Sequence, residues 1–260
     1  VEADEFDRSF LQLTPDIAVV SSMDADHLDI YHTVDALREA FDQFSQQIKE
    51  GGCLITKPEL RHYFHTQQKV YTYSLDDANA DFRVEHLRIA DGSSRLDVCT
   101  PVGRVPDLLL PTAGLYNVEN ALAAVAVAFV MGMDNEKIRA QLLQYKGVKR
   151  RFEYIVRREG CVYIDDYAHH PTEIRATMQA AKNYPHNKLW VIFQPHTYTR
   201  TMALMDEFAD AFEDADHVVL AEIYAAREKN IYKISSEQLK NAIKEKNPER
   251  DVLFFETFDE

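Results

Sequence analysis

Short apolar runs alternate with helical segments along the second half of this chain, and no other feature restricts its fold as much. Four runs have the composition of buried strands: Cys161–Ile164, Leu189–Phe193, Val218–Leu220 and Val252–Phe255. Helical spacing fills the intervals at 171–181, 202–213 and 235–246. Because neighbouring parallel strands require a crossover connection, usually a helix, the pattern predicts a doubly wound parallel sheet.

The start of the chain has α/β character as well. An apolar run at 17–22 has the pattern of a strand that is buried on both faces. Residues 33–49 place their apolar side chains at helical spacing, and Gly51-Gly52 ends that helix. Another strand begins at Cys53. A strand, a helix and a second strand in this order predict the beginning of an α/β domain.

The segment 69–110 changes character, because its residues alternate between apolar and polar around a hairpin turn at Asp91-Gly92. We interpret it as an antiparallel insertion, and an alanine-rich helix follows at 117–131. The strand–helix alternation restarts after Gly147. We therefore predict a boundary near residue 148, with one domain at 1–148 and a Rossmann-like domain at 149–260.

The charge balance argues against two broad classes of partner. Asp and Glu number 43 against 29 Lys and Arg, which gives a formal net charge of −14. Nucleic acids and anionic membranes both require a basic surface, so we expect neither as a partner. The three cysteines, Cys53, Cys99 and Cys161, form no CxxC pair. Buried free thiols in a reducing compartment are the expected state.

Polar clusters occur directly after the predicted strands. They lie at Asp24–Asp29, Asp165–His170, Gln194–Arg200 and Glu222–Arg227. Open parallel sheets bind ligands beyond the carboxyl ends of their strands. This regular placement predicts a binding site built from several loops.

The residue types in these clusters indicate anion and metal chemistry, with an ordinary alternative for each. Carboxylates near the start of the chain suit Mg²⁺, which prefers oxygen ligands, although a solvated acidic loop is the simpler alternative. The Asp165–His170 cluster is unusual for a core, and its alternative is helix capping by Asp166. Arg200 could clamp a carboxylate or phosphate, or lie on the surface. Asn117 could be a simple helix cap.

Six motifs occur in order, and together they make the chain resemble the Mur ligase family. They are Glu2-Ala3-Asp4-Glu5-Phe6-Asp7, Asp24-Ala25-Asp26-His27-Leu28-Asp29, Asn117-Val118-Glu119-Asn120-Ala121-Leu122, Arg150-Arg151-Phe152-Glu153, Asp165-Asp166-Tyr167-Ala168-His169-His170-Pro171-Thr172-Glu173 and Phe193-Gln194-Pro195-His196-Thr197-Tyr198-Thr199-Arg200-Thr201. The resemblance spans nearly the whole chain. Each motif alone is modest, but six in order with fitting spacing are highly specific.

The resemblance implies an ATP-dependent, cytoplasmic ligase that joins L-alanine to UDP-N-acetylmuramate in the synthesis of peptidoglycan precursors. ATP and Mg²⁺ are the implied cofactors, and the reaction passes through an acyl phosphate on the sugar's lactyl carboxylate. In fold, residues 1–148 resemble the later part of the family's central ATPase-type domain. Residues 149–260 resemble most of its C-terminal domain.

Roles for individual residues also follow from the resemblance. The implied metal-side residues are Glu2 and His27. The implied nucleotide-binding residues are Asn117, Asn120, Arg151 and Asp166. The implied residues on the amino-acid and acyl-phosphate side are Tyr167, His169, His196, Arg200 and Arg227, of which His169 and Arg200 are the catalytic candidates.

The chain departs from the family pattern at several points. It has no GxxxxGK[ST] loop, and none of its eight glycines precedes a lysine. The UDP-sugar domain and the last Gly-rich strand–helix unit are not found, and Thr197 stands where many relatives have Arg. We therefore expect the chain to need the missing N-terminal part of its protein as a partner, and to be inactive alone.

Three other functions compete with this interpretation. A sister ligase that attaches a recycled peptide to the same sugar would share most motifs. A metal-dependent phosphoesterase could use Asp24, Asp26, His27, Asp165 and His169 without ATP. A non-catalytic interaction fragment would bind neither ATP nor sugar nucleotide.

Overall fold

The computed structural model describes residues 3–5, 7–23, 28–112 and 114–258. Its strands are β1 (Ile17–Val20), β2 (Cys53–Thr56), β3 (Lys69–Ser74), β4 (Phe82–Ala90), β5 (Ser93–Thr100), β6 (Gly103–Leu110), β7 (Glu153–Arg158), β8 (Cys161–Asp165), β9 (Trp190–Phe193), β10 (His217–Ala221) and β11 (Asp251–Phe255). Its α-helices are α1 (Leu28–Tyr31), α2 (Val34–Gln46), α3 (Leu115–Val130), α4 (Asn135–Leu143), α5 (Pro171–Ala181), α6 (Tyr198–Ala203), α7 (Met205–Ala211) and α8 (Ser236–Lys246). None of the helices in these ranges has the length and hydropathy needed to cross a membrane.

The chain divides into two units. The first runs to Arg88 and adds Ser94–Leu110 and Asn117–Tyr145. The second combines Ile89–Ser93 and Pro111–Tyr116 with the chain from Lys146 onward. Two short segments from before residue 148 therefore belong to the second unit. The α/β class that the sequence predicts is confirmed in both units.

A six-stranded sheet in the order β1-β2-β3-β4-β5-β6 organises the first unit. Strand β2 pairs in parallel with β1 on one side and with β3 on the other. All four β2 residues are buried, as expected for a strand covered on both faces. The antiparallel insertion is confirmed for β5 and β6, but β3 belongs to the parallel part of the sheet. The burial of β3 does not alternate: Lys69 is exposed, and Thr72 and Tyr73 are buried.

Helices α2 and α3 supply the apolar surfaces of the first unit. Thr33 caps α2 by accepting a hydrogen bond from the Ala36 N–H at 3.1 Å. The buried face of α2 includes Leu37 and Phe44, and the ring centroids of Phe44 and Phe10 are 5.2 Å apart. In α3, small alanines and Val118 are buried. Helix α4 was not predicted, because its face is mostly polar and only Ile138 is buried.

The predicted turn joins β4 to β5. Asp91 and Gly92 both have positive φ, at 48° and 72°, as a two-residue type I′ turn requires. A Cβ at Gly92 would overlap the Tyr184 hydroxyl, so glycine is required there on two grounds. The Arg157 guanidinium donates to the Asp91 carbonyl at 2.7 Å. This turn is therefore integrated into the second unit.

The second unit contains a three-stranded parallel sheet in the order β11-β10-β9. Buried Val218 and Leu220 of β10 pack with α5, α7 and α8 side chains in one apolar cluster. Strand β8, which the alternation placed in the same sheet, instead forms an antiparallel pair with β7. Its Cys161 is exposed, so the expectation of buried cysteines is wrong there, while Cys53 and Cys99 are buried. Between β8 and β9 lies a cavity of about 1260 Å³, lined by residues of both strands.

Aromatic rings mark both ends of β9. At its carboxyl end, Phe193 packs on Phe208 and Phe212, which are fully buried. At its amino end, Trp190 is 56 % exposed and stacks on His217 with ring centroids 4.0 Å apart. The carboxyl end of β9 is therefore anchored in the core, while its amino end is exposed.

Candidate functional site

The carboxyl ends of β8, β9 and β10 carry the chemically distinctive residues of the second unit. A chain of four rings connects these ends: Tyr167, His169, His196 and Tyr224. Successive ring centroids are 5.1, 6.0 and 5.5 Å apart. We call these rings and Arg200 the strand-end cluster. Three of the five predicted substrate-side residues, Tyr167, His169 and His196, therefore belong to this chain of rings, as expected for loops that follow parallel strands.

The His169 ring is held in one orientation by the backbone carbonyl of Tyr167, two residues earlier. Its Nδ1 lies 2.8 Å from the Tyr167 carbonyl oxygen, and a carbonyl can only accept. Nδ1 therefore carries a proton, and in the neutral ring Nε2 is left as an acceptor. The His169 backbone N–H donates to Glu173 at 2.9 Å, which fixes the residue further.

His196 occupies the centre of the ring chain. Burial lowers the pKa of this imidazole, and the positive charge of Arg200 and the neighbouring His169 lower it further. Its Nδ1 is buried and has no hydrogen-bond partner among the described residues. A buried polar atom without a partner is costly, so such an atom at a strand end marks a place where a ligand could donate or accept.

We expect His196 to make stability depend on pH in a definite direction. Its pKa is lower in the folded chain than in the unfolded chain, so folding favours the neutral ring. This contribution is complete above the unfolded value of about 6.5 and is lost as pH falls through the lower folded value. Denaturant unfolding of the wild type and of His196→Asn between pH 7 and 5 measures it. The wild type should lose more stability; equal pH slopes would contradict the assignment.

Arg200 and Arg227 differ in their surroundings: Arg200 makes a hydrogen bond within the cluster, and Arg227 is exposed in a loop. Arg200 lies on α6 and donates to the His196 carbonyl at 3.3 Å, so it belongs to the strand-end cluster. Arg227 is exposed in the loop after β10, next to Ala226, whose φ is 51°. Glu228, the following residue, accepts hydrogen bonds from the backbone and hydroxyl of Thr199. The loops after β9 and β10 are thereby connected.

Asp166 and Arg151 lie on the neighbouring side of the β8 end. The Asp166 carboxylate accepts hydrogen bonds from the backbone N–H groups of Phe152 and Ala168, at 2.8 and 2.7 Å. Burial raises the pKa of Asp166 despite these bonds. The Thr177 side chain also bonds to this carboxylate, and the two oxygens together keep acceptor capacity for one further hydroxyl donor. Arg151 is half exposed, and its guanidinium lies 3.7 Å from Glu173.

The alternative that Asp166 caps the following helix is wrong. The N-cap of α5 is His170, whose ring accepts the Thr172 N–H, and Pro171 occupies the first helical position. Glu173 completes a reciprocal capping box by accepting the His170 backbone N–H at 3.2 Å. One histidine of the pair is thus structural, while His169 faces the ring chain.

The two predicted asparagines lie in the first unit, on one face at the start of α3. Asn117 is half-buried and Asn120 is exposed. Between them, Glu119 pairs with Lys57 at 2.9 Å, which ties α3 to the segment that follows β2. The two asparagines belong to the first unit, and Arg151 and Asp166 belong to the second.

The predicted metal positions, Glu2 and His27, lie outside the described residues, as do Asp24 and Asp26. Within the part of the chain that the structure describes, no group of three or more His, Cys, Asp or Glu side chains is placed to hold a metal ion. The magnesium assignment therefore stays a prediction.

Three residues with clear contacts received no role from the sequence: Glu173, Tyr224 and Glu228. A proline followed two positions later by glutamate is a recognisable helix start, so Glu173 could have been found. The stacking of Tyr224 on His196 and the bonds of Glu228 to Thr199 join segments about 28 residues apart. No local sequence pattern predicts such contacts.

Family models match both halves of the chain. The Mur ligase middle domain matches residues 2–128, and the Mur ligase, glutamate ligase domain matches residues 150–260. The UDP-N-acetylmuramate–L-alanine ligase of Alkaliphilus metalliredigens is 39% identical over 260 residues, covering 98% of this chain and 56% of that protein. The Christiangramia forsetii enzyme of the same name is 42% identical over 248 residues, covering 95% and 53%. The chain thus spans about half the length of these relatives.

Solved structures agree with the fold. The UDP-N-acetylmuramate–alanine ligase of Thermotoga maritima superposes with a TM-score of 0.79 at 26% identity, covering 98% of this chain and 54% of that one. A Mycobacterium tuberculosis folylpolyglutamate synthase gives 0.74 at 20% identity, covering 95% and 56%. At that identity the second likeness concerns the fold alone.

Proposed function

The chain belongs to the Mur ligase family, and from that premise we propose that the complete protein is an ATP-dependent ligase that joins L-alanine to UDP-N-acetylmuramate. The observation that carries the choice of substrates is the similarity, at 39–42% identity over almost all of this chain, to relatives with that name. The strand-end cluster supports it, because it brings together cationic and hydrogen-bonding groups of the kind that stabilise charge in acyl transfer. The proposal includes a cytoplasmic location.

On the nucleotide side, we assign Asn117, Asn120, Arg151 and Asp166 to ATP. Asp166 is suited to a ribose hydroxyl, because its carboxylate accepts two backbone N–H groups and a bond from the Thr177 side chain and still keeps acceptor capacity. Arg151 is half exposed and carries only a long contact to Glu173, so its guanidinium is available to the nucleotide. Asn120 is exposed on α3 and presents an amide to solvent.

On the amino-acid and acyl-phosphate side, we assign Tyr167, His169, His196, Arg200 and Arg227. The His169 Nε2 is free to accept a proton or hydrogen bond, since Nδ1 is committed to the Tyr167 carbonyl. The neutral His196 can hydrogen-bond without adding charge. Arg200 and Arg227 supply positive charge for the alanine carboxylate or for the phosphoryl oxygens, where negative charge collects.

For magnesium, Glu2 and His27 remain the proposed residues. When bound, Mg²⁺ would offset the charge of the ATP phosphates. The Glu2 carboxylate is a donor type that suits Mg²⁺, whereas an imidazole such as that of His27 is a more usual ligand of transition metals. This assignment is independent of the strand-end cluster.

The proposal is tested by incubating the complete protein with ATP, Mg²⁺, UDP-N-acetylmuramate and L-alanine, and detecting the amide product by mass spectrometry. Product and phosphate should form together, and only when all four are present. A second arm replaces alanine with the recycled peptide. A higher kcat/KM for the peptide would favour the sister ligase, and phosphate release without an amine acceptor would favour a phosphoesterase.

A further inference from the structure

Helix α6, which carries Arg200, begins without a cap from its own sequence. Its N-cap residue, Thr197, makes no side-chain capping bond. The Thr197 hydroxyl instead lies 3.3 Å from that of Thr199. The first N–H groups of a helix have no partner within the helix, so they need an acceptor from elsewhere.

Glu228, from the loop after β10, supplies that acceptor. One of its carboxylate oxygens accepts the Thr199 backbone N–H at 2.9 Å, and the other accepts the Thr199 hydroxyl. Partial burial would raise the pKa of Glu228, but hydrogen bonds from Thr199, from the Thr197 side chain and from the Tyr198 backbone outweigh it and hold the pKa below its usual value. A carboxylate at a helix start also interacts favourably with the helix dipole.

The same loop is tied down at two other points. The Tyr224 N–H donates to the Pro195 carbonyl at 2.8 Å, and the Gln194 side-chain amide donates to the Glu222 carbonyl at 3.0 Å. The segment between Tyr224 and Glu228 lies beyond these two points and contains the exposed Arg227. Removal of the Glu228 contact would release the far end of that segment.

We infer that Glu228 is a positioning residue, which caps α6 from another loop and thereby positions Arg200 on α6 and Arg227 in the β10 loop as cations for an anionic group. This rests on the proposed function, which places that group on alanine or the acyl phosphate. The start of α6 is occupied by a protein carboxylate. In this inference a substrate anion is bound by the two arginines, because Glu228 already accepts the Thr199 N–H at the helix start.

The test uses the complete protein and compares Glu228→Ala with Glu245→Gln, an exposed glutamate in α8 that serves as a control. Glu228→Ala should raise the KM for L-alanine about tenfold, the scale of a lost cap converted to affinity, and leave the KM for ATP within about twofold. The control should change neither. An unchanged KM for alanine in Glu228→Ala would overturn the inference.

A double variant separates two effects of Glu228: capping α6 and holding the β10 loop. In Glu228→Ala/Thr197→Asp, the new aspartate at the N-cap can cap α6 locally, but the β10 loop stays released. We expect the Tm to recover while the KM for alanine stays raised. Recovery of both would show that the cap alone matters and that Arg227 is not held by Glu228.

Amide hydrogen exchange at Thr199 provides a readout that does not require turnover. Glu228→Ala should accelerate this exchange at least tenfold, and Thr197→Asp should slow it again. If the wild type forms no amide product, the proposed function fails, yet the exchange still tests whether Glu228 caps α6. If the wild type is active but Glu228→Ala leaves the exchange at Thr199 unchanged, the positioning role is rejected.

Discussion

A polypeptide of residues 1–260 alone should show no ATP-dependent turnover that approaches one per second, the lower end of typical enzyme rates of about 1–10³ per second. The reason lies in what these residues lack. A phosphate-binding loop needs glycines for close backbone approach and a lysine that reaches the terminal phosphates, and no glycine here precedes a lysine. Loss of one preorganised charge contact typically costs about 10²–10³ in rate, and several are missing together.

The measurement is phosphate release and amide formation with ATP, Mg²⁺, UDP-N-acetylmuramate and L-alanine. The complete protein under the same conditions is the positive control. Turnover of the 260-residue chain at a rate comparable to the complete protein would mean that the described clusters contain a phosphate site of another kind. Nucleotide binding without turnover would be compatible with Arg151 and Asp166 acting as a weak site.

Phe208→Ala should cost the second unit about 3–5 kcal/mol of unfolding free energy, the usual range for a large aromatic side chain removed from a core. Phe208 is fully buried, and its ring lies 5.7 Å from that of Phe193 at the end of β9. The surrounding side chains come from several elements, so they cannot all move to fill the space. A loss of this size is comparable to the whole stability of many domains.

Phe258→Ala is the matched control, because Phe258 is 84% exposed and its loss should cost under about 0.5 kcal/mol. Urea unfolding followed by far-UV circular dichroism measures both variants. A cost below about 1 kcal/mol for Phe208→Ala would mean that the core around β9 is loosely packed.

The elements that the sequence predicted correctly are those with strong local signals. The β9, β10 and β11 strands are apolar runs separated by helical spacing, and the Asp91-Gly92 turn has a residue pair that tolerates positive φ. Pairing partners were harder to predict. A strand such as β8 can join a parallel sheet or form a hairpin with the same residues, and only tertiary contacts decide between them.

The candidate site was predicted in the same uneven way. Tyr167, His169 and His196 were expected together because each follows a strand, and the structure places them in contact. Glu228 was missed because its partner, Thr199, belongs to another loop. A side chain whose purpose is to hold another loop in place leaves no periodic or local mark in the sequence.

Trp190 is the only tryptophan of the chain, and it lies at the start of β9 against His217. Intrinsic tryptophan fluorescence therefore observes the second unit alone, whereas circular dichroism observes the helices of both. Superimposable transitions from the two methods would mean that the units unfold as one cooperative system. An early or late fluorescence transition would give the stability of the β9–β11 unit directly, without a label and without any substitution.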